Sequence, residues 1–414
     1  MFIEFSVTNF LSFNEKQTLS MVADSSKELE TTNTFLPTGK TKLPRLLHCV
    51  GIYGANATGK SNLLRAMQVM REIVLSSAKE SQAGEPIEGI HSHALFTDKP
   101  TEFEIIFIVK GVRYQYGFAA TRELITEEWL FAFPAGRSQQ WLSRVYDHDL
   151  KTYSWSINAS QIKGKRTLWK NATRDNALFI STAAQLNSEQ FGLILEWFRE
   201  TLVVRKTDDI SPAKTLVLCK NSEGKLKILE FLNTADISVS DLELREDLVS
   251  LEVKQGKVRN VNVRVNFVIN FSHQTSEGKD FSLPLELESA GTRRLFEIAG
   301  VWLEILEQGR VICIDELESS LHPLITHFLV SLFHNPKINQ KQAQLIFTTH
   351  DTNILDNDIL RRDQIWFTEK DRNQSTRLYP LSDFSPRKQE ALQKGYLQGR
   401  YGALPYISSP KWLK

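Results

Sequence analysis

The 414-residue chain is short of cysteine, of net charge and of long apolar runs, and each shortage excludes a class of protein. Its three cysteines, Cys49, Cys219 and Cys313, lie far apart, each within an apolar stretch. That spacing excludes a disulfide framework or a zinc site and points to core thiols in a reducing compartment. Lys and Arg number 50 against 49 Asp and Glu, a net charge of +1. Nothing global therefore draws the chain to nucleic acid, although a local basic groove stays open. No run of 18 apolar residues occurs. The opening Met1-Phe2-Ile3-Glu4-Phe5-Ser6-Val7 lacks the basic start and apolar stretch of a signal peptide. The expectation is a cytoplasmic protein that does not itself span a membrane. Internal repeats, low-complexity tracts and an Asn-Lys-x-Asp guanine reader are also missing.

What is present is a soluble globular composition, 41% hydrophobic and 24% charged, long enough for two or three domain-sized units. Its most informative stretch is Gly54-Ala55-Asn56-Ala57-Thr58-Gly59-Lys60-Ser61, which satisfies G-x-x-x-x-G-K-[ST]. Residues 46–53 before it read as a buried strand, and Leu63, Leu64, Met67, Met70 and Val74 after it recur at helical spacing. Gly54 and Gly59 let the backbone turn tightly and aim N–H groups at a pyrophosphate. The helix starting near Lys60 adds its positive dipole end. Lys60 is expected to reach the β- and γ-phosphates and the Ser61 hydroxyl to sit on Mg²⁺, with Asn62 closing the cradle. The sequence predicts a binder of a nucleoside triphosphate.

Strand-like alternation opens the chain over residues 1–20, and a polar loop covers 23–42. An antiparallel meander is predicted over 92–160, with a hairpin turning at Lys110-Gly111. Residues 175–250 turn mixed and helical, with Ile194, Leu195, Trp197, Phe198 and Leu202 favouring a helix. Val261, Val263, Val265, Phe267 and Ile269 mark a strand over 258–271, and a helix of about sixteen residues follows from Thr292. Two apolar strands come last, over 311–314 and 344–349. Because the glycine loop and these late strands lie far apart, the core sheet must be assembled from both ends of the chain.

The first late strand ends in Asp315-Glu316. Mg²⁺ accepts one or two carboxylates and keeps several waters, so Asp315 is expected to bind it, directly or through water. Glu316 would face the γ-phosphate and orient or deprotonate the attacking water. His350, in Thr348-Thr349-His350-Asp351, ends the next strand and can hydrogen-bond the γ-phosphate and sense its presence. Leu285-Glu286-Leu287-Glu288-Ser289-Ala290-Gly291-Thr292 places small residues before a helix, where Ser289 and the Gly291 N–H could bind phosphate.

In this order the elements resemble the ATP-binding-cassette ATPases, in the branch that includes the SMC, RecF and OLD-type proteins. The signature departs from the usual Ser-Gly-Gly-Gln by carrying Ala290 and Thr292 but keeps Ser289 and Gly291. The resemblance implies a P-loop NTPase of ABC/SMC type: an α/β fold with a mostly parallel core sheet, an antiparallel β subdomain and a helical lobe. It implies an N-terminal ATPase lobe over 1–180, a helical and mixed insertion over 181–280 and a C-terminal ATPase lobe over 281–414. Two subunits would sandwich two ATP molecules, with Ser289 and Gly291 of one chain touching the γ-phosphate held by Lys60 of the other. The Ser319-Ser320-Leu321-His322-Pro323 turn would couple the two sites. Gln185, after an apolar strand at Phe179-Ile180, is the candidate for the glutamine that reaches Mg²⁺ and water in these ATPases.

The two ends are similar to stand-alone bacterial AAA15 ATPases, including RloA-like and AbiL-type phage-defence proteins. The resemblance rests on Phe2-Ile3-Glu4-Phe5, Asn9-Phe10-Leu11-Ser12-Phe13 and the closing Lys394-Gly395-Tyr396-Leu397-Gln398-Gly399-Arg400-Tyr401-Gly402-Ala403-Leu404-Pro405. It implies a homodimer or higher homo-oligomer that answers a phage-encoded trigger and controls a separate effector, an RloB-like or TOPRIM-type nuclease. No TOPRIM domain of its own is expected after the tail, which makes a separate effector the expectation. The alternative is a RecF-like or SMC-like ATPase that clamps DNA in repair or recombination, which calls for a basic stripe. A transporter motor subunit fits less well, because the β and helical insertions are unlike a compact transporter subunit.

Overall fold

A computed structural model describes residues 1–39, 43–251, 262–387 and 390–406. Alternation along the late strands decides its layers. Val311 and Cys313 face one core cluster while Ile312 and Ile314 face another. Ile346 opposes Leu345 and Phe347 in the same way, and Val50 and Ile52 oppose Cys49 and Tyr53. A strand whose two faces are both apolar must be covered on both sides, the mark of a parallel sheet inside an α/β fold.

That core sheet has six strands in the order Leu202–Lys206, Val311–Asp315, Gln344–Thr348, Cys49–Tyr53, Ile365–Lys370, Thr376–Pro380. The first five are parallel and the last is antiparallel. The loop strand and the acid-bearing strand are separated by Gln344–Thr348, so both end at the same edge with one strand between them.

One face is covered by the helix Lys60–Ser76, which buries Leu63, Leu64, Met67, Met70 and Val74 as its spacing predicts. Beyond it lies a seven-stranded antiparallel sheet that holds the expected meander, from Thr101–Val109 to Thr152–Ile157, together with the opening strands Phe2–Thr8 and Gln17–Ser20. The other face is covered by Ala290–Gln308 and Pro323–His334. The first of these stops at Gly309, whose left-handed φ of 67° lets its N–H close on the Ile305 carbonyl. The two sheets are stitched together at Gln344, whose side chain accepts from the Phe2 N–H at 2.7 Å and donates to the Phe2 carbonyl at 3.0 Å, all buried.

Several expectations change. The strand expected over 46–53 is broken at His48: Leu46–Leu47 pairs with Thr34–Phe35, inside the stretch read as a polar loop, and only Cys49–Tyr53 enters the core. The apolar run at 179 is the helix Phe179–Gln185, not a strand. Its first N–H groups donate to the buried Glu128 carboxylate, from Phe179 at 2.7 Å and Ile180 at 3.2 Å, so a long-range acidic cap overrides the local pattern. The late strand over 258–271 is seen as Asn262–Gln274, its expected residues 258–261 lying outside the described residues. The helix expected from Thr292 begins earlier, at Ala290, and runs 19 residues.

Candidate nucleotide site

The glycine loop leaves Cys49–Tyr53 and enters Lys60–Ser76 in a conformation that only its glycines allow. Gly54 (φ 152°) and Gly59 (φ 108°) occupy backbone regions that L residues rarely adopt. A Cβ on Gly54 would strike the Thr368 carbonyl, and one on Gly59 the Thr376 side chain. Thr58 braces the turn, donating to the Ala55 carbonyl at 2.8 Å and lying 2.7 Å from the Thr368 hydroxyl. The helix has no side-chain cap at Gly59, which leaves its first N–H groups free for an anion. Lys60 is buried and donates to the Gly54 and Ala55 carbonyls at 2.8 and 3.1 Å. Burial lowers its pKa, against the opposing pull of Asp315, Glu318 and Glu316.

The acidic strand end comes to the same place. Ser61 donates to Asp315 Oδ1 at 3.1 Å, and Thr348 donates to that oxygen at 2.6 Å. Thr348 Oγ1 also accepts from the Glu316 N–H at 2.8 Å. Thr207, just past Leu202–Lys206, donates to the Asp315 and Glu316 carbonyls. Glu316 is thus held by its backbone at φ 55° while its side chain stays exposed. His350 is fixed through its N–H, which donates to Glu318 at 2.6 Å. Its pKa is lowered, by burial first and then by the nearby Lys60 charge, so the ring is neutral at neutral pH.

Asn56, Ala57, Thr58, Gly59, Lys60, Ser61, Asn62, Glu316 and His350 line one cavity of about 320 Å³, together with Ser12 and Lys370. Among the described residues, no cluster of three His, Cys, Asp or Glu side chains could hold a metal by itself. The Ser61–Asp315 pair instead fits Mg²⁺, which takes one carboxylate and completes its shell from phosphate and water.

Two sets of expected residues lie elsewhere. Ser289 caps the helix Ala290–Gln308, its Oγ accepting from the Thr292 N–H at 3.0 Å. With Gly291 it lines a separate cavity of about 530 Å³ beside His322 and Leu324. Gln185 is exposed at the end of its helix, whose Ser181 bonds the Val74 carbonyl. Val74 is fourteen residues beyond Lys60, about 21 Å along the helix. The structure therefore does not bring Gln185 to the phosphate loop, and the strand that reaches Asp315 is Leu202–Lys206 instead.

Sequence reasoning missed Thr348, Thr207, Ser12 and Lys370. Thr348 had a usable signal, since a hydroxyl closing an apolar strand beside a candidate acid is available to orient it. It also missed the contact of the closing segment with the loop, where the Ala55 N–H donates to the Ala403 carbonyl at 2.9 Å.

Strand order, glycine loop and the acid pair beside it together define a mixed α/β P-loop fold. The chain belongs to the family described as "AAA domain, putative AbiEii toxin, Type IV TA system", whose profile matches residues 49–356, about three quarters of its length. It is similar to the SMC head in the "Crystal structure of the SmcHead bound to the C-winged helix domain of ScpA", at 13% identity over 92% of this chain and 97% of that one, with a TM-score of 0.39. It is also similar to cbiO1 from Clostridium perfringens, described as "Part of the ABC transporter complex cbiONQ", at 12% identity over 97% of each chain, with a TM-score of 0.31. No curated protein matches the sequence. Among the described residues no helix is long and apolar enough to cross a membrane.

Proposed function

We propose that the chain is an ATP hydrolase of the stand-alone, OLD-like kind, whose copies close in pairs on Mg²⁺-ATP and so control a separate toxic effector, a nuclease, in anti-phage defence. The observation that carries the reading is the convergence of Ser61 and Thr348 on one oxygen of Asp315, beside an exposed Glu316 and His350 in one cavity. The separate position of Ser289 and Gly291 supports a site completed by a second copy. The family description, with its toxin–antitoxin setting, supports an effector under ATP control.

In this reading Lys60 and the loop N–H groups hold the β- and γ-phosphates, and Ser61 with Asp315 holds Mg²⁺. The ion would neutralise phosphate charge as the bond to the γ-phosphoryl group breaks. Glu316 takes the proton of the attacking water or aligns it. Neutral His350 donates to the γ-phosphate, and Ser289 and Gly291 of the partner bind it from the opposite side. ATP favours the closed pair because only that form offers both sets of contacts, so hydrolysis reopens it.

Complementation tests this scheme. Lys60→Ala and Ser289→Arg chains should each be inactive alone, and a mixture should recover part of the ATPase activity, because one site of each mixed pair is intact. No recovery, despite formation of mixed pairs, would reject the shared site. In cells, full protection against phage by Lys60→Ala would reject ATP-dependent defence.

A further inference from the structure

The closing segment is anchored both to the phosphate loop and to the turn that follows His350. Its Ala403 carbonyl accepts from the Ala55 N–H at 2.9 Å and from the Tyr396 hydroxyl at 3.2 Å. The Ala403 N–H donates to Glu369 at 3.1 Å, and Gly402 and Ala403 both adopt left-handed φ, 69° and 57°. Upstream, Gln393 donates to Thr352 at 3.1 Å, in the turn that follows His350. Tyr396 and Tyr401 stack on Phe367 of the core sheet. These contacts hold the segment along residues 393–403, and it presents apolar surface to solvent: Leu397 is 58% exposed and Tyr406 95% exposed. With Asn56 and His350 they line a cavity of about 740 Å³ that shares walls with the nucleotide cavity.

A second unpartnered apolar surface lies beside the signature. Ile237, Leu324 and Phe328 line the groove that also contains Ser289, Gly291 and His322, and Leu324 is 72% exposed. If Ser289 and Gly291 of one copy cover the phosphate loop of another, this groove is carried over the loop's neighbour, the closing segment. Leu404-Pro405-Tyr406 is apolar and aromatic, and Ala235, Ile237, Leu324, Ile325 and Phe328 give the groove an apolar wall beside its polar residues Thr234, Asp236, Thr292 and His322.

We propose that residues 404–406 of one copy dock into the Ile237–Leu324–Phe328 groove of the other, forming a contact between copies that exists only in the ATP-closed pair. The proposal rests on the shared-site reading above. The segment needs little further ordering to bind, since its preceding residues are already fixed, and an aromatic anchor in an apolar pocket is the usual centre of such a contact. Because Ala403 holds the phosphate loop, the contact ties pair formation to the loop.

The test uses two full-length chains, each also carrying Glu316→Gln to slow turnover. One has Tyr406→Cys and the other Leu324→Cys, so a disulfide between the new thiols can form only between copies. The three native cysteines are buried and offer no competing partner. The expected result is a cross-linked dimer that appears under mild oxidation with Mg²⁺-ATP and not with ADP. Tyr406→Ala in the same background should raise the dimer dissociation constant about tenfold or more. ATP-dependent dimers without the cross-link, and with an unchanged constant for Tyr406→Ala, would overturn the tail contact while leaving the sandwich standing. Absence of any ATP-dependent dimer would overturn both.

Discussion

Ser61 and Asp315 share a hydrogen bond of 3.1 Å across 254 positions of sequence. The loop that would hold phosphate and the acid that would hold the ion are therefore registered by folding alone. Asp315→Asn keeps the shape but removes the charge. It should weaken Mg²⁺-dependent ATP binding at least about tenfold, with ion-free nucleotide binding less affected. Titration of a fluorescent nucleotide with and without Mg²⁺ checks this, and equal losses in both arms would remove Asp315 from the metal site.

Glu316 is exposed and held by its backbone, so replacing its side chain should leave the fold intact. Glu316→Gln should retain ATP binding and slow hydrolysis by about 10²- to 10⁴-fold, with ATP-bound assemblies accumulating. Unchanged single-turnover rates would take Glu316 out of the reaction.

Thr348 contacts both acids, through Asp315 Oδ1 and the Glu316 N–H. Thr348→Val leaves the Glu316 N–H without its partner and Asp315 Oδ1 with Ser61 alone, at nearly constant volume, and should cost about 1–3 kcal/mol of stability. Turnover should fall by more than the loss of folded protein explains, and Thr348→Ser should restore it. Denaturant melts alongside kcat measurements separate the two effects; wild-type turnover per folded molecule in Thr348→Val would take the hydroxyl out of the reaction.

Glu128 is fully buried, capping Phe179–Gln185 and lying 3.8 Å from Arg144. Its carboxyl pKa is raised by burial, against the downward pull of Arg144. Glu128→Ala strands the guanidinium and two N–H groups and should destabilise the protein by about 3–5 kcal/mol. A thermal midpoint close to the wild-type value would show that the cap is dispensable.

Two histidines, the buried His48 and the half-buried His334, make stability fall with acid. Burial lowers His48 to about 4 and His334 to about 3, from 6.5. Below pH 6.5 the unfolded chain takes up protons that the folded chain refuses, so the stability present above that value is lost as pH drops toward 4 and 3. Each ring contributes a slope of up to about 1.4 kcal/mol per pH unit in that window. The melting temperature should decline between pH 7 and 5, and His48→Asn should flatten the decline; parallel curves would assign it to other groups.

Much of this site was legible because its strongest pieces are local. The octet from Gly54 to Ser61 carries its chemistry in eight positions, and the unbroken apolar run from Val311 to Ile314 announces a strand. The hidden pieces take their meaning from distant partners. Leu202–Lys206 and Ile365–Lys370 end in charged residues and are too short to show a period, so they become core strands only beside neighbours already placed. Phe179–Gln185 has an apolar run suited to either element, and Glu128, some fifty residues earlier, decides for helix. Gln185 followed that error, since its candidacy required a strand end. The closing segment stood out as a motif, but nothing within it said that Ala403 would reach Ala55.

The bond between Phe2 and Gln344 fixes a timetable for synthesis. The first strand leaves the ribosome more than three hundred residues before the side chain that clasps it, and Cys49–Tyr53 must wait equally long for Gln344–Thr348 and Ile365–Lys370. Until then the glycine loop has no sheet behind it and the acid has no loop beside it. A nascent or prematurely terminated chain thus lacks both neighbours of Cys49–Tyr53, contacts of long sequence separation that close late.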